Sequence, residues 1–129
     1  MNPQNRIQEL VQEKAAGRRP DLVSLVEQLF EVAAETGGLS CTQVCNQGLR
    51  FSLPGYPPVE VKLDLAKSKL RMMCARLGVI SREQSGKDVS LYGDEAEFDY
   101  DQPPGSARHW KVRFINTMHA QEFTIELEH

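Results

Sequence analysis

Apolar and polar residues alternate along this chain with two different periods, and the change of period outlines an architecture. Near the start, Ile7, Leu10 and Val11 recur at helical spacing behind Asn2 and Pro3, a capping side chain followed by proline at the first helical position. Lys14 keeps the spacing and Gly17 ends it, and Gly17-Arg18-Arg19-Pro20 reads as a turn. Asp21 is then placed to cap a second helix, whose stripe of Leu22, Val26, Leu29 and Ala33 is widened by Val23, Leu25 and Phe30. Gly37-Gly38 stops that helix.

After Gly38 the period falls to two. Residues 39–44 are expected to form a strand, and Asn46-Gln47-Gly48 a turn. Leu49, Phe51 and Leu53 alternate with Arg50 and Ser52; Val59, Val61 and Leu63 alternate with Glu60, Lys62 and Asp64. The rigid loop Pro54-Gly55-Tyr56-Pro57-Pro58 separates these strands. Asp64 is expected to cap a third helix over residues 65–77, with Gly78 as its stop. Ala66, Leu70, Met73, Cys74 and Leu77 form its apolar stripe.

The last third alternates throughout: Val89 and Leu91, then Ala96, Phe98 and Tyr100, then Trp110, Val112 and Phe114, then Phe123 and Ile125. Gly93-Asp94 fits a two-residue hairpin turn. Pairing Tyr92 with Glu95, Tyr100 with Trp110, and Phe114 with Phe123 sets apolar opposite apolar across four strands, and a one-residue slip would break the match. The expected fold class is α+β: two N-terminal helices, three short strands, one helix, then a four-stranded antiparallel meander packed on the helices. One domain is expected over residues 1–126, with Leu127-Glu128-His129 read as a purification-tag remnant.

Composition narrows the class without naming a function. The chain has 129 residues, 26% of them charged, and a formal net charge of −3, which weakens the case for a strongly basic nucleic-acid binder. No apolar run approaches the roughly 18 residues needed to cross a bilayer. Three cysteines, an odd number, and a polar opening segment suit reduced thiols in a cytoplasm.

Several groups are weighed as sites. The acidic run Glu95, Glu97, Asp99 and Asp101 shares one strand face and offers oxygens to a divalent cation or a cationic partner. The same register sets Asp101 opposite His109, Asp99 opposite Lys111 and Glu97 opposite Arg113, so cross-strand ion pairs are the simpler expectation. Cys41, Cys45, Cys74 and His119 could supply a zinc site or a thiol centre. Cysteines four apart on an extended strand, however, lie about 13 Å from each other. The third helix carries Lys67, Lys69, Arg71 and Arg76, split between the two edges of its apolar stripe. That helix and the hairpin after it follow a helix-plus-wing order, but strands stand where the preceding helices would be. No glycine-rich phosphate loop is present. No catalytic residue, metal or cofactor is assigned.

The order of elements resembles that of small dimeric secretion chaperones; it is a resemblance of order with no shared motif, and no residue is carried over. The expected function is a non-catalytic protein-interaction or adaptor module, partnered by a protein or by a second copy of the chain. Its candidate contact residues are Tyr56, Lys67, Arg71, Arg18 and Arg19. The alternatives are nucleic-acid binding through the basic third helix, and a small metal-binding or thiol-dependent protein.

Overall fold

The fold was analysed in a computed structural model that describes residues 2–128. Helix α1 (Pro3–Lys14) starts at Asn2, whose side chain accepts from the Asn5 N–H at 2.8 Å. Helix α2 (Leu22–Thr36) starts at Asp21, which accepts from the Ser24 N–H at 3.0 Å, and ends on left-handed Gly37. Three strands follow, β1 (Gly38–Cys45), β2 (Gly48–Ser52) and β3 (Val59–Lys62), then helix α3 (Ala66–Ser85). Strands β4 (Gly93–Tyr100), β5 (Arg108–Asn116) and β6 (Gln121–Glu128) complete the order.

The architecture is α+β, but the strands form one six-stranded antiparallel sheet, in the order β3-β2-β1-β6-β5-β4. The expected four-stranded meander is replaced by three strands, because residues 89–92 form a loop and β1 pairs directly with β6. Alternation then buries one face. Leu39, Cys41, Phe51, Val61, Phe98, Trp110, Phe114, Phe123 and Ile125 point into the core beneath the helices. At its centre Phe30 of α2 meets Trp110 edge-on, with ring centroids 5.1 Å apart, and Tyr100 at 5.0 Å. Among the described residues no helix is long and apolar enough to cross a membrane.

Three details of α3 and the meander differ from the sequence expectation. Helix α3 passes through Gly78 and stops at left-handed Gly86. Gly78 is an internal packing position: a Cβ there would lie 3.2 Å from Cζ of Phe114 on β5. Asp64 does not cap α3; the cap position is Leu65, itself left-handed, with no side-chain hydrogen bond to the helix. The β5–β6 register is as expected, with Phe114 opposite Phe123 and Val112 opposite Ile125. The β4–β5 register is shifted by two, pairing Phe98 with Trp110 and Ala96 with Val112. A shift of two keeps every side chain on its face, so the apolar pattern cannot tell these registers apart.

Strand β6 continues past residue 126. Leu127 pairs with Trp110 and packs on the core, its N–H donates to Gly37 O at 3.1 Å, and Glu128 pairs with His109. Only His129 of the expected tag remnant lies outside the described residues, as does Met1. At the other edge, α1 runs along β3 and closes it. Gln4 and Gln12 donate their amides to Pro57 O at 2.7 Å, in the loop before β3, and to Lys62 O at 3.1 Å, at the end of this edge strand.

The β1–β6 junction depends on a close approach. A Cβ on Gly38 would lie 2.9 Å from the carbonyl oxygen of Ile125. Gly38→Ala is therefore expected to destabilise the fold by about 1–3 kcal/mol. Gly78→Ala should be near neutral, since a helix-propensity gain of about 1 kcal/mol offsets a contact that Phe114 can relax. Urea unfolding of the two variants, compared with the parent chain, checks the contrast.

Candidate functional site

The helices all lie on one side of the sheet, and the other side is open. Its outward positions are polar: Ser40 and Thr42 on β1, Glu122, Thr124 and Glu126 on β6, Lys111 and Arg113 on β5, Glu95, Glu97 and Asp99 on β4. A depression of about 610 Å³ is lined by Ser40, Thr42, Glu95, Arg113, Glu122 and Thr124, with Asp94 and Ile115 at its β4–β5 side.

The shifted register rearranges the ion pairs on this face. His109 Nδ1 lies 2.8 Å from Asp99 and its Nε2 3.9 Å from Glu97, Lys111 Nζ lies 3.0 Å from Glu95, and Arg113 lies 3.5 Å from Glu126. His109 thus reaches a carboxylate two residues earlier on β4 than the one expected, and Lys111 one four residues earlier. Asp101 leaves the face and accepts from the Ser106 N–H at 3.0 Å in the β4–β5 loop. The acidic strand is therefore largely paired with its neighbours. The Asp94 carboxylate accepts from the N–H groups of Ser90 and Glu95, which lower its pKa and fix the loop before β4. Glu122, in the floor of the depression, has no ion pair or side-chain hydrogen bond among the described residues.

One end of the depression continues into apolar surface. Tyr92 is 75% exposed and Met118 71% exposed, with Leu91 and Ile115 also solvent-facing. The Asn116 N–H donates to Tyr92 O at 2.9 Å and Gly93 pairs with Ile115, which holds the 91–92 loop beside the β5–β6 turn. That turn is fixed by Thr117, whose Oγ1 accepts from the N–H groups of His119 and Ala120.

The residues singled out from sequence are not collected into one site. Tyr56 is exposed in the β2–β3 loop, beside the start of β3. Arg18 and Arg19 are exposed in the α1–α2 turn, near the opposite end of β3. Lys67 and Arg71 are exposed on α3, while Arg76 pairs with Glu27 at 3.6 Å and Lys69 is buried. Cys41 and Cys74 are buried in the core, Cys45 is exposed beyond the β1 bulge, and His119 is exposed in its turn. Among the described residues no three His, Cys, Asp or Glu side chains converge on a metal-sized site. Sequence reasoning did not single out Ser40, Thr42, Tyr92, Glu122 or Thr124. Their only signal was polar alternation, which says that a face is open but not which strands share it.

No protein-family model matches the chain, and no curated protein is significantly similar to it in sequence.

Two titration outcomes follow. The hydrogen bond that His109 donates to the Asp99 carboxylate, with the nearby carboxylates of Glu97 and Glu128, raises the His109 pKa above its usual 6.5. A raised folded-state pKa gives stabilisation that is fully present below the unfolded value and lost as pH rises through the folded one. His109 ring signals followed by NMR should titrate above those of an unstructured histidine, and Asp99→Asn should bring the midpoint down. Burial pushes the Cys41 thiol well above its ordinary range and Cys74 up to about 12. Thiol-specific labelling should therefore show one fast site, removed by Cys45→Ser, and two that react only on unfolding.

Proposed function

We propose that this chain is a non-catalytic interaction module that docks a basic segment of a partner protein on the open face of its sheet. The observation that carries the reading is the composition of the depression: two carboxylates, Glu95 and Glu122, against one guanidinium, Arg113, with Glu122 in no ion pair among the described residues, flanked by the hydroxyls of Ser40, Thr42 and Thr124. Such a lining attracts cations and repels the phosphates of a nucleic acid, which weighs against the polyanion reading. Glu122 supplies a charge with no ion pair among the described residues. Tyr92, Leu91 and Met118 supply an adjoining apolar and aromatic anchor of the kind enriched where proteins meet.

The breadth of the face also favours a macromolecule. Small-molecule sites enclose most of their ligand, whereas this depression is shallow and spans four strands, β1, β6, β5 and β4. The three free thiols suit a reducing compartment, so a cytoplasmic setting belongs to the same proposal.

Selection of displayed random peptides on the immobilised protein tests it. Lys- and Arg-rich peptides should be enriched, and the bound peptides should move the amide signals of Thr42, Ile115, Glu122 and Thr124. Glu122→Lys should weaken binding by about tenfold or more, the loss implied by exchanging a charge-assisted contact for a repulsion. Tyr92→Ala should weaken it without altering its salt dependence. Acidic or uncharged peptides, or shifts centred on Lys67 and Arg71, would overturn the reading.

A further inference from the structure

The depression on the open face does not end at Ser40 and Thr124. A second one, of about 290 Å³, shares both residues and continues over Ser52 and Pro54 at the β2 side. The register explains the connection: Ser52 lies opposite Ser40 on β1, and Ser40 lies opposite Thr124 on β6. The two form one trough that crosses the strands obliquely, from Gly93 and Ile115 at one end to Pro54 at the other. Charge is distributed unevenly along it. Glu122 stands on β6, midway between β4 and β2 in the sheet order, and has no ion pair among the described residues. Glu126 is the one charged residue lining the β2 part, and it lies 3.5 Å from Arg113. Apolar groups stand at both ends: Tyr92, Leu91 and Met118 beyond Ile115, and exposed Pro54 at β2.

The backbone beneath the trough limits what can lie in it. Strands β5, β6, β1 and β2 each have a neighbour on both sides, so their N–H and C=O groups are engaged within the sheet. A segment lying across them meets the hydroxyls of Ser40, Ser52 and Thr124 but no main-chain ladder. An extended segment would bury backbone groups there without partners, and extended segments join sheets at an edge instead. A helix satisfies its own backbone and presents one stripe of side chains. At about 4.8 Å between neighbouring strands, β4 and β2 lie about 19 Å apart, the length of about thirteen helical residues.

We infer that the occupant of the open face is an amphipathic helix of the partner protein, laid across β5, β6, β1 and β2, with a lysine or arginine of its central turn on Glu122 and apolar side chains to either side. This assignment rests on the open-face docking proposed above and specifies the form of its partner. The central cation meets the one carboxylate of the trough that no basic side chain of the chain itself engages. The flanking apolar residues meet Tyr92 and Met118 at one end and Pro54 at the other.

Three synthetic peptides are the probes, titrated into the ¹⁵N-labelled chain. The first is an alanine-based helix former of the length given above, with a central lysine and leucines on the same face one and two turns away. The second replaces the residue beside that lysine with proline, which breaks the helix and keeps the charge. The third is a capped Lys-Arg dipeptide. The first should gain helical circular dichroism on binding and move the amide signals of Ser52 and Leu53 together with those of Ile115 and Glu122. The proline peptide should bind about tenfold or more weakly. Ser52→Trp, at an exposed position, fills the β2 end and should weaken the helical peptide while leaving the dipeptide unchanged. Equal affinity of the helical and proline peptides, or shifts confined to Thr42, Ile115 and Glu122, would overturn the helix and leave the docking of basic segments in place. Failure of all three peptides to bind would overturn both.

Discussion

The hydrogen-bonded pairing of β1 with β6 brings together strands from opposite ends of the chain, and the rest of the fold hangs on it. Each half of the sheet, β1–β2–β3 and β4–β5–β6, is a local meander that could not bury its apolar face alone. Joined, they give α2 and α3 a continuous floor, with Leu39 beside Ile125 and Cys41 beside Phe123 under the helices. Closing so long a loop has an entropic cost that only the completed core repays. The junction leaves no room for a side chain at Gly38, whose α-carbon faces the Ile125 carbonyl.

That junction also makes the candidate binding face. Ser40 and Thr42 come from β1, Glu122 and Thr124 from β6, and the two pairs meet only because these strands are neighbours. The sheet then needs its edges protected. At β3 this is done by α1, whose glutamines take up the Pro57 and Lys62 carbonyls. At β4 it is done by charge, since Glu95, Glu97 and Asp99 line the strand and discourage edge-to-edge pairing. The acidic run thus has a structural task besides its ion pairs with His109 and Lys111.

A small net charge conceals two regions of opposite sign. The open face carries the unpaired carboxylate of Glu122, while Lys62 and Lys69 stand with Asp64 around a smaller cavity by the end of α1. Burial assigns the thiols differently: Cys41 and Cys74 are held neutral as core residues, with Cys74 donating to Glu122 O at 3.6 Å.

Local pattern was enough for much of the architecture. The caps at Asn2 and Asp21, the stop at Gly37, the alternation of every strand and the β5–β6 register all follow from residues close in sequence, because they depend on side chains a few positions apart. The length of α3 did not follow, because Gly78 reads as a stop until the Phe114 ring is seen to fill the space its missing side chain leaves. Nor did the β4–β5 register, since a two-residue shift preserves the apolar face and only the loop between the strands selects among such shifts. The sequence by itself determined the elements other than the strand expected at Val89 and Leu91, their order and which side of each is apolar, since period and burial are local properties. Tertiary structure alone decided that β1 lies against β6, that Glu122 is left unpaired in a depression and that the stem of Lys69 is covered. Each of these is set by what a distant segment places beside a residue, and no local period encodes that neighbour.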